Sequence, residues 1–286
     1  FRGEFAAAEP LREPGPDGEA FVRISNASPE KPFRCAGIVS SAISVEPDRS
    51  ARGAPGSPAG ASCPIRLQEV TGATGIAFTP TDGSSGRHYI PETVSSGLAL
   101  FDCDGDGLID IYFPNGAPLP GAKADKPPRH ALYKNLGARR FQDVTQQAGV
   151  ACTGYGLGAT AGDYDNDGYP DLYVSNDYKG ADQLYRNNRN GTFANVTTNV
   201  LPAVPWSSMG SDIADINNDQ HMDLFATDMS GSSHARRLLN YSEPEKDRWF
   251  LQRANPPQYR RNMLFVNSGV DRCFELAYLA GVDSTD

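Results

Sequence analysis

Asp102-Cys-Asp104-Gly-Asp106-Gly107-Leu108-Ile-Asp110, Asp163-Tyr-Asp165-Asn-Asp167-Gly168-Tyr169-Pro-Asp171 and Asp215-Ile-Asn217-Asn-Asp219-Gln220-His221-Met-Asp223 are three versions of one loop. Oxygen side chains recur at positions 1, 3, 5 and 9, and glycine holds position 6 in two of the three. Alternate residues of a tight turn point inward, glycine supplies a positive φ, and the position-7 carbonyl (Leu108, Tyr169, His221) can complete a shell. Only oxygen donors are offered, which suits a hard cation. Six or more ligands on a flexible loop favour calcium over magnesium, which demands stricter octahedral geometry and keeps its water. An EF-hand is excluded at two points. Its twelfth position needs a bidentate Glu, but here that position is Phe113, Val174 or Ala226. Its flanks are helices, and these flanks read as strands. A single Asp/Gly run is an ordinary hairpin turn; three in phase with a longer repeat call for a common ligand.

The repeat extends outward from each loop. Five positions before it stands a glycine, Gly97, Gly158 or Gly210. After it comes a short apolar run, Ile111–Phe113, Leu172–Val174 or Leu224–Ala226. Then follow Leu132-Tyr133-Lys134-Asn135, Leu184-Tyr185-Arg186-Asn187 and Leu264-Phe265-Val266-Asn267, and finally a strand opened by Phe141, Phe193 or Phe274. Four short antiparallel strands per roughly 50–60 residues is the unit of a β-propeller blade. No 3.6-residue periodicity supports helical repeats. The fold class is therefore all-β, a propeller, and residues 65–286 amount to about four blades at that repeat length. Residues 1–64, rich in Gly and Pro, read as an N-terminal extension. An insertion over 228–262 interrupts the third unit, with helical patterning at Ser233–Asn240 and Glu243–Gln252.

Composition narrows the function. The 286 residues carry 26 Lys and Arg against 35 Asp and Glu, a net charge of −9. That balance argues against general nucleic-acid binding. No apolar run is long enough to span a membrane. The acids are 24 Asp and 11 Glu, and 17 of the Asp fall between Asp102 and Asp228, a clustering that solubility alone does not require. The five cysteines form no CxxC motif, which removes zinc ribbons and thioredoxin-like sites. In an oxidising compartment Cys35 with Cys63, and Cys103 with Cys152, are the candidate disulfides.

No GxSxG or comparable nucleophile signature is present, so no catalytic residue is assigned. His130 reads as structural, and His88 with Glu92 is the weak catalytic alternative. The insertion between His234 and Arg261 holds Arg236, Arg237, Lys246, Arg248, Arg253, Arg260 and Arg261 against Glu243, Glu245 and Asp247. Trp249, Phe250 and Tyr259 are interleaved. Arg with aromatics is enriched at interfaces, which makes this segment the expected contact for a protein or glycan ligand. Asn-x-Ser/Thr sequons at Asn26, Asn190, Asn195 and Asn240 matter only in a source that glycosylates.

The loops and their phase resemble the FG-GAP/VCBS calcium-binding repeats of the propeller in integrin α subunits. Gly86-Arg-His-Tyr-Ile-Pro-Glu-Thr93, running into Gly97-Leu-Ala-Leu-Phe-Asp102, resembles the first blade of the ASPIC/UnbV (cartilage acidic protein-like) family. Arg261-Asn-Met-Leu264 and Leu279-Ala-Gly-Val282-Asp-Ser-Thr-Asp286 resemble a later blade of the same family. The resemblance implies a secreted, cell-surface or periplasmic calcium-binding propeller, a binding and scaffold module in adhesion or assembly rather than an enzyme. A polysaccharide-active hydrolase or lyase on the same scaffold is the alternative, and a structural subunit of a larger secreted complex a third. Family members continue beyond the position of Asp286, so the resemblance also implies further blades from a longer chain or from a partner.

Overall fold

The computed structural model describes residues 69–87, 89–94, 96–122, 128–177, 180–229 and 255–284, all within a compact unit spanning Ser44–Asp286. Those residues form three four-stranded antiparallel sheets. The first orders β1 (Ala99–Phe101), β2 (Asp110–Phe113), β3 (Ala131–Asn135) and β4 (Phe141–Asp143) side by side; the second does the same with β5 (Tyr155–Gly162), β6 (Asp171–Asp177), β7 (Gln183–Asn187) and β8 (Phe193–Asn195). A two-residue strand, β9 (Val204–Pro205), precedes the third sheet. That sheet comprises β10 (Ser208–Ala214), β11 (Asp223–Asp228), β13 (Met263–Val266) and β14 (Phe274–Glu275), while β12 (Gln258–Tyr259) pairs in parallel with β9.

The up-down meander in each sheet is that of a propeller blade, and the fold is all-β. Three blades are seen among the described residues; residues 69–98 form no strand there and lie along the first sheet. Gly116 N donates to Thr81 O, Leu119 N to Gly83 O, and Phe78 stacks on Phe113 at 4.8 Å. The extension over 1–64 and the two helical stretches of the insertion fall outside the described residues.

Register repeats from sheet to sheet. Phe101 faces Asp110, Gly162 faces Asp171 and Ala214 faces Asp223. Each Asp loop is thus the first hairpin of its sheet, and its position-9 carboxylate begins the second strand. The fourth strands open at Phe141, Phe193 and Phe274 as expected, but the phase of the last one differs. Asn135 pairs with Phe141 and Asn187 with Phe193, but Val266 pairs with Phe274. The turn keeps its length, but the phenylalanine stands one residue later in the third sheet, so Cys273, opposite Asn267, takes the inward place of Phe193. Cys273 is buried in the core while Phe274 is 55% exposed.

Sheets pack through alternate faces of their second strands, since successive strand side chains point opposite ways. Leu172 and Val174 of β6 meet Tyr112, Leu132 and Val150 from the first sheet. Tyr173 between them joins Leu224, Met263 and Phe265 from the third. The first strands of the three sheets, β1, β5 and β10, lie side by side. A Cβ added at Gly158 would come 3.2 Å from the Gly210 Cα, so glycine there sets the spacing between blades.

Three short helical turns, α2 (Thr145–Ala148), α3 (Thr197–Val200) and α4 (Ala277–Ala280), follow the fourth strands; α1 (Thr71–Thr74) lies before the first sheet. Asp143 Oδ1 accepts from Thr145 N at 3.0 Å, and Asn195 Oδ1 from Thr197 N at 3.1 Å. Cys103, Cys152 and Cys273 are free thiols. The expected Cys103–Cys152 bond is absent because the two lie at opposite ends of the first sheet. Cys103 N binds Asp110 at the loop end of β2, whereas Cys152 O accepts from His130 N just before β3. Cys35 and Cys63 lie outside the described residues.

Candidate metal centre

All three loops close on themselves in one way, with carboxylates accepting the turn's own amides. Position 1 gathers the far side: Asp102 Oδ2 accepts from Gly107 N at 2.7 Å, Asp163 Oδ2 from Gly168 N at 2.8 Å and Asp215 Oδ2 from Gln220 N at 3.0 Å. Position 5 accepts from position 7, Asp106 from Leu108, Asp167 from Tyr169 and Asp219 from His221, each at 2.9 Å. Two residues per loop take the left-handed conformation, Gly105 and Gly107, Asn166 and Gly168, Asn218 and Gln220. Position 6 therefore requires positive φ in every loop, and Gln220 adopts it at φ 70° despite carrying a Cβ.

Position 9 is the buried foundation. Asp110, Asp171 and Asp223 are at most 1% exposed. One oxygen of each accepts from the position-2 amide: Cys103 at 2.9 Å, Tyr164 at 3.0 Å and Ile216 at 3.2 Å. The other accepts from the backbone N–H of an asparagine at, or just past, the end of the third strand: Asn135 and Asn187 at 2.7 Å, Asn267 at 2.8 Å. These asparagines were visible in the sequence as the last residue of each Leu-x-x-Asn run. Their in-phase recurrence opposite position 9 was the signal that marks them as part of the site.

Carboxylate oxygens of Asp102, Asp104 and Asp106 lie within 4.8 Å of one another, as do those of Asp163, Asp165 and Asp171. Like charges at about 4 Å repel by ~4 kcal/mol per pair at an effective dielectric of about 20, a repulsion that a bound cation would relieve. In the second loop burial raises Asp165, and the charges of Asp167 and Asp163 raise it further. Burial above all, against the Asn187 hydrogen bond, pushes Asp171 up to about 7. In the first loop Asp104 Oδ1 is buried without any hydrogen-bond donor, as an oxygen aimed at a cation would be. The residues present therefore fit an oxygen-ligated metal ion.

The third loop is the poorest. Asn217 replaces a carboxylate and spends its side chain on Asp219, donating to Oδ2 at 3.0 Å and accepting from the backbone amide at 2.9 Å. Asn217, Asp219 and Gln220 are all exposed.

Basic side chains attend the first two loops. Lys134 on β3 donates to Asp104 Oδ2 and stands 3.3 Å from Asp106 Oδ2; the Asp104 hydrogen bond pushes its ammonium up to about 12. Arg189 donates to Asp167 Oδ2 at 2.8 Å. Burial alone would raise Asp167, but the Arg189 bond brings it below its ordinary value.

The sequence profile described as the FG-GAP-like repeat matches residues 102–174 and again 163–226. Residues 102–226 carry FG-GAP-like repeats. No curated protein matches the chain. Repeats of this kind belong to β-propeller-type modules that bind or scaffold, and they are typical of extracellular or envelope proteins. No helix among the described residues is long and apolar enough to cross a membrane.

The remaining candidates are occupied or out of view. Glu92 Oε1 accepts from Ser85 N at 3.0 Å and Ser85 Oγ at 2.8 Å, a local structural clasp, and His88 lies outside the described residues. His130 is fully buried and neutral, its imidazole lowered to about 4 by desolvation. Of the basic insertion only Arg260 and Arg261 are described. Arg261 pairs with Glu275 and lies 4.5 Å over the Tyr278 ring, so it fastens the third sheet rather than standing free.

Proposed function

We propose that this chain is a calcium-stabilised propeller module of the ASPIC/UnbV type, non-catalytic, working outside the cytoplasm as a binding or scaffold element. The observation that carries the reading is the first loop, where three clustered carboxylates include a buried oxygen, Asp104 Oδ1, that no donor satisfies. Asp102, Asp104, Asp106 and Asp110, with the Leu108 carbonyl, would hold the first ion. Asp163, Asp165, Asp167 and Asp171, with that of Tyr169, would hold the second. Asp215, Asn217, Asp219 and Asp223, with that of His221, would hold a weaker third. Calcium in these loops would neutralise carboxylates at one end of each blade and fix the first hairpin. The blades then form a rigid frame from which loops can present a protein or glycan contact, the basic stretch of 234–261 foremost.

Calorimetric titration of the chelator-treated chain tests this. Calcium should bind at two or three sites with magnesium competing poorly, because a flexible loop of oxygen ligands accommodates the larger ion. A chain that takes up neither calcium nor magnesium would remove the metal assignment.

A further inference from the structure

The loops are not independent, because the first and the second are each bound to the next blade through a buried asparagine side chain. Asn187, at the end of β7 in the second sheet, donates Nδ2 to the Cys103 carbonyl at 2.7 Å. Cys103 is position 2 of the first loop, and its carbonyl belongs to the peptide that joins it to Asp104. The same Asn187 gives its backbone N–H to Asp171 of its own loop. One blade further on the pattern repeats: Asn267 Nδ2 donates to the carbonyl of Tyr164, position 2 of the second loop, and its N–H binds Asp223 at 2.8 Å. A relay therefore runs Cys103–Asn187–Asp171–Tyr164–Asn267–Asp223–Ile216, alternating between side chain and backbone across three sheets. Both asparagines are buried, Asn187 at 1% and Asn267 at 4% exposure. A second contact reinforces the order. The Tyr169 ring, at position 7 of the second loop, would lie 3.3 Å from a Cβ at Gly105 of the first. Likewise Asn166 of the second loop stands 3.0 Å from the His221 ring of the third.

The geometry points to Asn187 and Asn267 as positioning residues that act across the blade boundary, each setting the metal loop of the blade before its own. This inference rests on the calcium reading above. A calcium ion in the second loop fixes Asp171, Asp171 fixes the Asn187 backbone, and Asn187 then holds the peptide between ligands Asp102 and Asp104 in place. The first loop consequently binds its ion with less ordering left to do, which is positive coupling between sites. By linkage the coupling is reciprocal.

The test is a cycle of calcium affinities measured by calorimetry on the full chain. The third loop is emptied throughout by Asp215→Asn with Asp219→Asn. First-loop affinity is then compared with the second loop intact and with it emptied by Asp163→Asn and Asp165→Asn, each with and without Asn187→Ala. With Asn187 present, an intact second loop should tighten the first by about tenfold, an ordinary size for coupled sites. With Asn187→Ala that gain should vanish while the second loop still binds, which a merely stabilising side chain would not produce. The parallel cycle on Asn267, with the second and third loops, gives an independent answer if Asn187→Ala fails to fold. Calcium binding with no difference between the arms overturns the coupling alone; no calcium binding by the unaltered chain overturns the calcium reading and the coupling together.

Discussion

Asn166 of the second loop donates its side-chain amide to the Gln220 carbonyl of the third at 2.8 Å, tying the tip of one loop to the strained position of the next. Gln220 pays for that placement with a φ of 70°, where a Cβ costs on the order of 1 kcal/mol. Gln220→Gly keeps the carbonyl and removes the strain. The expected result is a gain of about 1 kcal/mol in unfolding free energy by urea denaturation, together with tighter calcium binding at the third loop. Even so, the third loop should remain the weakest, since it offers three carboxylates where the others offer four.

Lys134 governs how tightly the first loop binds. Its ammonium already neutralises part of the Asp104 and Asp106 charge, so an incoming cation gains less there than the carboxylate count implies. Lys134→Met should lower the melting temperature of the calcium-free chain, because the carboxylates lose their counter-charge. The same change should tighten calcium at the first loop by about tenfold, the usual scale on which ligand charge tunes such loops. A titration monitored by calorimetry, paired with thermal melts in chelator, reads both signs.

His130 sets a pH dependence of its own. It stands 3.1 Å from the Tyr112 hydroxyl and 3.2 Å from the Gly154 carbonyl, and burial holds it neutral, lowered to about 4. A depressed pKa means its contribution is present above the unfolded value near 6.5 and is lost as pH falls towards 4. The loss amounts to about 3 kcal/mol at 1.36 kcal/mol per unit. Asp182 works in the opposite sense. Burial raises it to about 7, so its penalty grows as pH rises from about 4 to 7. Equilibrium unfolding of His130→Gln across pH 4 to 7 should therefore show a shallower acid-side decline than the unaltered chain.

Gly158 fixes the distance between the second and third sheets. Gly158→Ala would place a methyl 3.2 Å from Gly210 Cα and 3.4 Å from the Met209 carbonyl. Backbone cannot yield as a side-chain tip does, so overpacking should cost about 1–3 kcal/mol. Gly107→Ala, which meets nothing within 4 Å but sits at φ 83°, should cost on the order of 1 kcal/mol from conformation alone. Comparing the two by chemical denaturation separates crowding from strain.

Much of this was legible in the sequence because the loop is a covalent pattern. Asp at positions 1, 3, 5 and 9 is fixed by the alternation of a turn and needs no knowledge of what packs on it. The strands followed from the same phase, with Leu172–Val174 and its counterparts falling inside β2, β6 and β11. What escaped the sequence depends on pairing between distant segments. Phe274 aligns by type with Phe193, yet it stands one residue later in a turn of the same length, which hands the buried place to Cys273. Lys134 looks like any strand lysine until register sets β3 beside the first loop. Asn187 reaches a carbonyl 84 residues away, a contact that no local spacing reports.

Thermal unfolding of the chain with saturating calcium and again after exhaustive chelation is the most direct test that these loops hold metal and that the metal holds the blades. The account predicts a melting temperature that falls on chelation, and bound calcium of two to three ions per chain returning as it is restored. A melting temperature indifferent to the chelator, with no calcium retained, would contradict it.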